Sequence, residues 1–164
     1  ELAQDVYTVE GQSGEFSVEV HMKAVHRDSD GKILAISEHA GVLTTIGKNY
    51  IEDQLGGGAN ATAEAVYISL SNDGTAPSAA WTEIPSEITT NGLGRALGSY
   101  TSTGDGVWTI DKTFTATGTQ SVQLAGLEWD NNLSNSALLC ADQMTSASME
   151  NGDTLEVTWT ITVT

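Results

Sequence analysis

The sequence predicts an all-β fold, an antiparallel β-sandwich of immunoglobulin-like or jelly-roll-like type with one short helix. Apolar and polar residues alternate over long stretches, which is the pattern of strands with one buried face. Turn sequences such as Asp-Gly and Asn-Gly recur between these stretches. The chain also contains 17 glycines, and only 17% of its residues are charged. This composition, which is rich in Thr, Ser and Gly, is typical of β-rich domains rather than of helical or disordered chains.

The length and the net charge of the chain argue against several classes of function. The 164 residues suffice for one domain with a substantial core. Six Lys and Arg against 22 Asp and Glu give a formal net charge of −16. We therefore expect no nucleic-acid partner, because phosphate neutralisation requires clustered basic side chains. An anionic membrane surface is disfavoured for the same reason, and no apolar run approaches the roughly 18 residues of a membrane span.

The first 14 residues differ from the rest of the chain. Residues 1–14 are largely polar, with a short apolar spot at Val6, Tyr7 and Val9. We separate them as an N-terminal arm from a single domain at residues 15–164. The arm is either a frayed terminus or first edge strand, or a detachable strand that pairs with a neighbouring subunit.

Two features bear on export. The chain starts at Glu1 rather than Met, as expected after removal of a leader, although a chain cut from a longer protein would start in the same way. Asn60 and Asn132 stand in Asn-Ala-Thr and Asn-Leu-Ser sequences, which makes them candidate glycosylation sites.

The first half of the domain contains two predicted strands and the helix. The first strand follows from apolar residues at every second position, namely Phe16, Val18, Val20, Met22 and Ala24. An Asp-Gly turn at residues 28–31 leads into a second strand at residues 32–37. Thr44 or Thr45 can cap a helix that ends at the glycines of residues 56–58, since glycine costs about 1 kcal/mol per helical position.

The second half is predicted to be almost entirely strands. Residues 75–91 hold both prolines and form a long connection, with one helical turn at residues 79–84. The last strand alternates with Leu155, Val157, Trp159, Ile161 and Val163 on one face. Eight or nine strands with recurrent turns predict the sandwich. The other predicted strands lie at residues 65–70, 96–103, 107–117, 122–129 and 137–144.

Metal ligands are sparse. His21 and His26 lie five residues apart on one strand and therefore point to opposite faces. Asp28 and Asp30 are weak candidates for Ca²⁺, which prefers carboxylate and carbonyl oxygens. Lys32 occupies the next ligand position of a calcium loop, so a hairpin turn is the favoured interpretation.

We expect no enzymatic activity and no cofactor. Cys140, the only cysteine, excludes an intrachain disulfide and lies in an apolar run, where a buried side chain is the default. The sequence has no Gly-x-Ser-x-Gly motif, and no phosphate-loop lysine follows the glycines at residues 56–58. Two carboxylates at glycosidase separation remain an open alternative.

The four tryptophans divide into two pairs. Trp108 and Trp159 lie on apolar strand faces and are predicted to be in the core. Trp81 and Trp129 lie in a connection and at a strand end. There they would either plug the end of the sandwich or stack on sugars, as in a carbohydrate-binding module.

An ordered set of motifs resembles a known family. These motifs are the helix at residues 44–55, a strand followed by Gly-Thr-Ala-Pro at residues 66–77, Gly-Leu-Gly-Arg-Ala at residues 92–96, and the final strand. Together they resemble small β-rich proteins of tailed phages and archaeal viruses or proviruses, which serve as tail, fibre or other virion components. The resemblance covers most of residues 15–164 and transfers no catalytic residue. The sequence departs from the family pattern at Glu128 and Trp129, where an apolar pair is usual.

The predicted function is that of a non-enzymatic structural subunit, which self-assembles into an extracellular, cell-surface or virion filament. Its partner would be itself, through β-strand complementation by residues 3–10, with Val6, Tyr7 and Val9 as the apolar contacts. The acidic surface would keep free subunits soluble, and screening by salt would favour assembly. The alternative is a carbohydrate-binding module that recognises host or cell-surface glycans.

Overall fold

The computed structural model describes residues 16–58 and 63–164. Within these residues the chain forms two antiparallel sheets and one helix, which confirms the predicted all-β sandwich. The helix is too short and too polar to cross a membrane. The elements are β1 (Val18–Arg27), β2 (Ile33–Ala40), β3 (Val42–Leu43), α1 (Thr45–Gly56), β4 (Tyr67–Ser71), β5 (Ala96–Leu97), β6 (Ser99–Gly104), β7 (Val107–Thr115), β8 (Gln120–Glu128), β9 (Leu138–Met149) and β10 (Thr154–Val163).

Each sheet has five strands. The first sheet has the order β2-β1-β10-β7-β6, and the second has the order β3-β9-β8-β4-β5. In the first sheet Met22 lies opposite Trp159, and both side chains are fully buried. The apolar side chains that alternate along β1 and β10 therefore face the second sheet. Ile68, Leu70 and Leu127 of the second sheet are likewise fully buried. The core lies between the two inner faces.

The chain passes from one sheet to the other at two glycines. Gly41 separates β2 from β3, and Gly98 separates β5 from β6. A Cβ at Gly41 would lie 2.7 Å from Cζ3 of Trp159, and one at Gly98 would lie 2.7 Å from Cγ2 of Ile110. Glycine is required at both corners because the backbone crosses directly over a buried side chain.

Helix α1 is held by the caps that the sequence predicts. The Thr44 hydroxyl accepts a hydrogen bond from the Gly47 N–H at 2.8 Å, and Gly57 ends the helix with φ of 73°. The Thr44 N–H in turn donates to the Leu139 carbonyl of β9. These contacts fix α1 against the second sheet and carry Tyr50 to one end of the sandwich.

Four local predictions require correction. The single strand predicted at residues 96–103 is two strands in different sheets, because the chain turns at Gly98. The helical turn predicted at residues 79–84 is a series of turns and bends. The strand predicted at residues 137–144 continues to Met149 as β9. Trp159 is in the core as predicted, whereas Trp108 is only partly buried against it.

We expect Gly98→Ala to lower the free energy of unfolding by about 1–3 kcal/mol, because the new methyl group must displace Ile110 or the backbone beside it. Urea denaturation of the purified chain measures this loss. Gly104→Ala is the matched control, since a Cβ at that position meets nothing within 4 Å. Equal stabilities of the two variants would contradict the steric role of Gly98.

Candidate functional site

An apolar cleft opens at one end of the sandwich, where β1 and β7 begin and β10 ends. Its volume is about 520 Å³. We call it the apolar cleft. Both sheets and the helix contribute to its lining, which includes Val18, Tyr50, Leu55, Val66, Tyr100, Trp108, Leu127, Leu139, Ile161 and Val163. The volume and the apolar lining are those of a site that receives a side-chain cluster or a small apolar molecule.

Beside the cleft, the chain crosses at Gly98 from β5 of the second sheet to β6 of the first. The Gly98 N–H bonds to the Val66 carbonyl of the second sheet, and the chain then continues into the first sheet as β6. All six residues of β6 are exposed, with Tyr100 at 62%. Among the described residues, β6 pairs only with β7. Its other edge therefore presents backbone donors and acceptors beside the cleft.

Tyr50, which lines the cleft, stacks on Trp129. Their rings stack at a centroid distance of 4.5 Å with an interplanar angle of 11°. The Tyr50 hydroxyl donates to the Ala63 carbonyl at 2.7 Å, and burial raises the pKa of the phenol. Such a stack stabilises the packing of the two rings by more than the burial of their surface alone.

The two tryptophans predicted as glycan contacts are both partly buried. Tyr50 covers one face of the Trp129 ring, which also packs against the core. Trp81 is half-buried in the connection between β4 and β5. At most one face of Trp129 is left for a sugar, and no described contact joins it to Trp81.

The first described residue lies at the mouth of the cleft. Phe16, the first described residue, lines the cleft and is 61% exposed. Val6, Tyr7 and Val9, the predicted donor residues, lie outside the described residues, as does Asn60. Asn132 is exposed in the loop between β8 and β9, where its side-chain oxygen accepts the Ser134 N–H at 3.0 Å.

Next to Trp129 in the chain, Glu128 belongs to a buried ionic cluster with Arg95 and Glu87. Glu128 is fully buried at the end of β8 and accepts a hydrogen bond from the Ser69 hydroxyl at 2.7 Å. Arg95 places Nη1 2.8 Å from Oε2 of Glu128 and binds both carboxylate oxygens of Glu87 at 2.9 and 2.7 Å. Oε2 of Glu128 has no aligned hydrogen bond with the described residues. One guanidinium thus faces two carboxylates in a dry environment.

The cluster perturbs the protonation of Glu128. Burial raises the pKa of Glu128 to about 7, although Arg95 and the Ser69 hydroxyl oppose the shift. We did not predict this cluster from the sequence. The sequence feature that could have indicated the cluster is Glu128, a glutamate in the otherwise apolar segment 124–129. Its partner, Arg95, lies more than thirty residues away in the chain.

The candidate calcium ligands take part in a turn. One Asp28 carboxylate oxygen accepts the N–H groups of Asp30 and Lys32 at 3.0 and 2.9 Å, which closes the hairpin between β1 and β2. In the described part of the chain, no three His, Cys, Asp or Glu side chains gather in a group that could hold a metal ion. Calcium binding stays a prediction that these contacts do not support.

Comparisons with known proteins add no relative. No protein-family model, curated protein or solved structure matches this chain. The candidate site must therefore be interpreted from its own geometry.

Glu128 should make stability depend on pH. The folded chain binds the Glu128 proton more tightly than the unfolded chain, whose pKa lies near 4.5. The free energy of unfolding should therefore fall as pH rises from about 4.5 to about 7, by at most about 3 kcal/mol from this group. Denaturation of the native chain and of Glu128→Gln across this range isolates the contribution, because the amide cannot ionise. The variant should gain stability relative to the native chain as pH rises, and parallel curves would contradict the assignment.

Cys140 should be unreactive in the folded chain. It is fully buried in β9, and burial raises the pKa of its thiol well above the usual range. A thiol reagent should label the native chain orders of magnitude more slowly than the urea-unfolded chain. Comparable labelling rates would show that β9 opens readily.

Proposed function

We propose that this chain is a non-enzymatic structural subunit that self-assembles into an extracellular or virion filament. In this proposal, the N-terminal arm of one subunit lies in the apolar cleft of the next and pairs with the free edge of β6. The observation that carries the proposal is the apolar cleft itself, which is open beside an edge strand.

Strand complementation requires two features in the acceptor, and the cleft supplies both. The first is an apolar groove between two sheets, where alternate side chains of a donor can lie. The second is an edge whose N–H and C=O groups are free to form a ladder, as in β6. An aromatic residue of the edge, Tyr100, lines the groove and would cover the inserted strand.

The arm has the composition and reach of a donor. In a strand of residues 3–10, Tyr7 and Val9 lie on one face and would enter the groove, whereas Val6 lies on the opposite face, which is otherwise polar. Fifteen extended residues before Phe16 span up to about 50 Å, enough to reach a neighbouring domain. Because the arm and the cleft are different surfaces, the contact is heterologous, and successive subunits would join head to tail into a filament.

The charge of the chain supports controlled assembly. Subunits with a formal net charge of −16 repel one another at low ionic strength. Glu64 is the charged residue among the described cleft-lining residues, so insertion of an apolar strand buries little charge. Salt would therefore favour polymerisation by screening the repulsion between subunits. The resemblance to virion components agrees with this role.

Loss of the arm should abolish polymerisation. The 164-residue chain carrying Tyr7→Asp and Val9→Asp should remain unpolymerised at high salt, because each inserted carboxylate would lose its hydration in the groove. Deletion of residues 1–12 should have the same effect. Negative-stain electron microscopy and mass photometry at low and high salt provide the readout.

A matched control is Thr8→Asp, which adds a carboxylate on the polar side of the arm. It should polymerise nearly as well as the native chain. Normal filaments from the deletion variant would contradict the proposal, as would a native chain that stays monomeric under all conditions. In the latter case a glycan panel would test the carbohydrate-binding alternative.

A further inference from the structure

The outer surface of β2 exposes three neighbouring aliphatic side chains. Ile33, Leu34 and Ile36 are 49%, 50% and 53% exposed. Across the β1–β2 ladder, Ile36 lies opposite Val25, which is itself buried. A depression of about 370 Å³ is lined by Ile33 and Ile36 together with residues of β1 and β10. We call these aliphatic residues and the charged residues around them the β2 patch.

The charges around the β2 patch nearly cancel. Lys23 Nζ lies 3.8 Å from Glu38, and Arg27 Nη1 lies 2.9 Å from Glu156. The adjoining turn adds Asp28, Asp30 and Lys32. These seven residues carry a formal charge of −1 (three basic, four acidic), whereas the whole chain carries −16. The β2 patch thus combines exposed apolar area with local charge balance on a strongly acidic molecule.

Charge balance determines which partner fits this surface. Two copies of the chain repel wherever net-acidic surfaces meet, so the least repulsive contact brings a balanced surface of each copy together. The β2 patch of a second copy meets this condition. A two-fold axis would place aliphatic residues against aliphatic residues at the centre, with basic and acidic side chains of both copies at the rim.

We propose that the β2 patch is a two-fold interface between two copies of this chain, separate from the arm and the apolar cleft. The β2 strand is an edge strand, paired only with β1 among the described residues, and its exposed aliphatic side chains are what natural edge strands usually avoid. A contact with a second copy removes them from water. In an assembled filament, the same contact would join neighbouring filaments side by side.

The experiment uses the 164-residue chain with Tyr7→Asp and Val9→Asp, so that arm-dependent assembly cannot contribute. Sedimentation velocity over a wide concentration range should show a mass that doubles from monomer to dimer and goes no further. Because this background lacks a functional arm, the dimer is measured whether or not the proposed filament forms.

The test substitution is Ile33→Thr with Ile36→Thr, which keeps β-branched side chains at half-exposed strand positions. We expect it to abolish the dimer and to leave the far-UV circular dichroism unchanged. Leu97→Thr with Leu133→Thr is the matched control, because it removes two exposed leucines elsewhere on the surface. The control should dimerise as well as its parent.

Salt and hydrogen exchange identify the contact. High salt should strengthen the dimer, because the contact is apolar and the general repulsion is screened. Amide exchange in β2 should slow as the dimer forms. The proposal is overturned if the parent is monomeric at all concentrations, if the control loses the dimer equally, or if β2 exchange does not change. A dimer that salt weakens would also overturn it, since that would indicate a contact between the β2 patch and an acidic surface.

Discussion

The inner faces of the two sheets must cover each other, and the rest of the structure depends on how this requirement is met. Along most of the sandwich, side chains such as Met22 and Trp159 are fully buried between the sheets. At two corners the chain crosses between the sheets through Gly41 and Gly98, which keeps the layers close. At Gly98 the chain leaves the second sheet and continues as β6 of the first. Near this corner, the inner faces of the sheets are uncovered at one end and form the apolar cleft.

The apolar cleft and the ionic cluster are connected through Tyr50, Trp129 and Glu128. Tyr50 lines the cleft and stacks on Trp129, and the neighbouring residue in the chain, Glu128, is held by Arg95 and Ser69. Burial of the ionised Glu128 carboxylate costs free energy that Arg95 and the Ser69 hydroxyl only partly offset. The pKa of Glu128 therefore rises to about 7. A charge thus replaces the apolar residue expected at this position and anchors the connection that carries Arg95 and Glu87.

The sequence predicts the parts of the fold that depend on local pattern. The alternation in β1 and β10, the hairpin turns and the Thr44 cap all follow from neighbouring residues. The division of residues 96–104 between two sheets could not be predicted, because the choice of sheet depends on what Gly98 packs against. The apolar cleft and the Glu128–Arg95 pair were missed for the same reason, since both are made by residues far apart in sequence. The arm lies outside the described residues, so its role stays a prediction.

The central claim is that the apolar cleft receives a strand from another subunit. A cryo-electron microscopy map of the assembled full-length chain tests it most directly, at a resolution that separates strands and shows aromatic side chains. The account predicts density for residues 3–10 of one subunit beside β6 of the next, with Tyr7 and Val9 directed between the sheets. A filament whose clefts are empty, or filled by the arm of the same subunit, would contradict it.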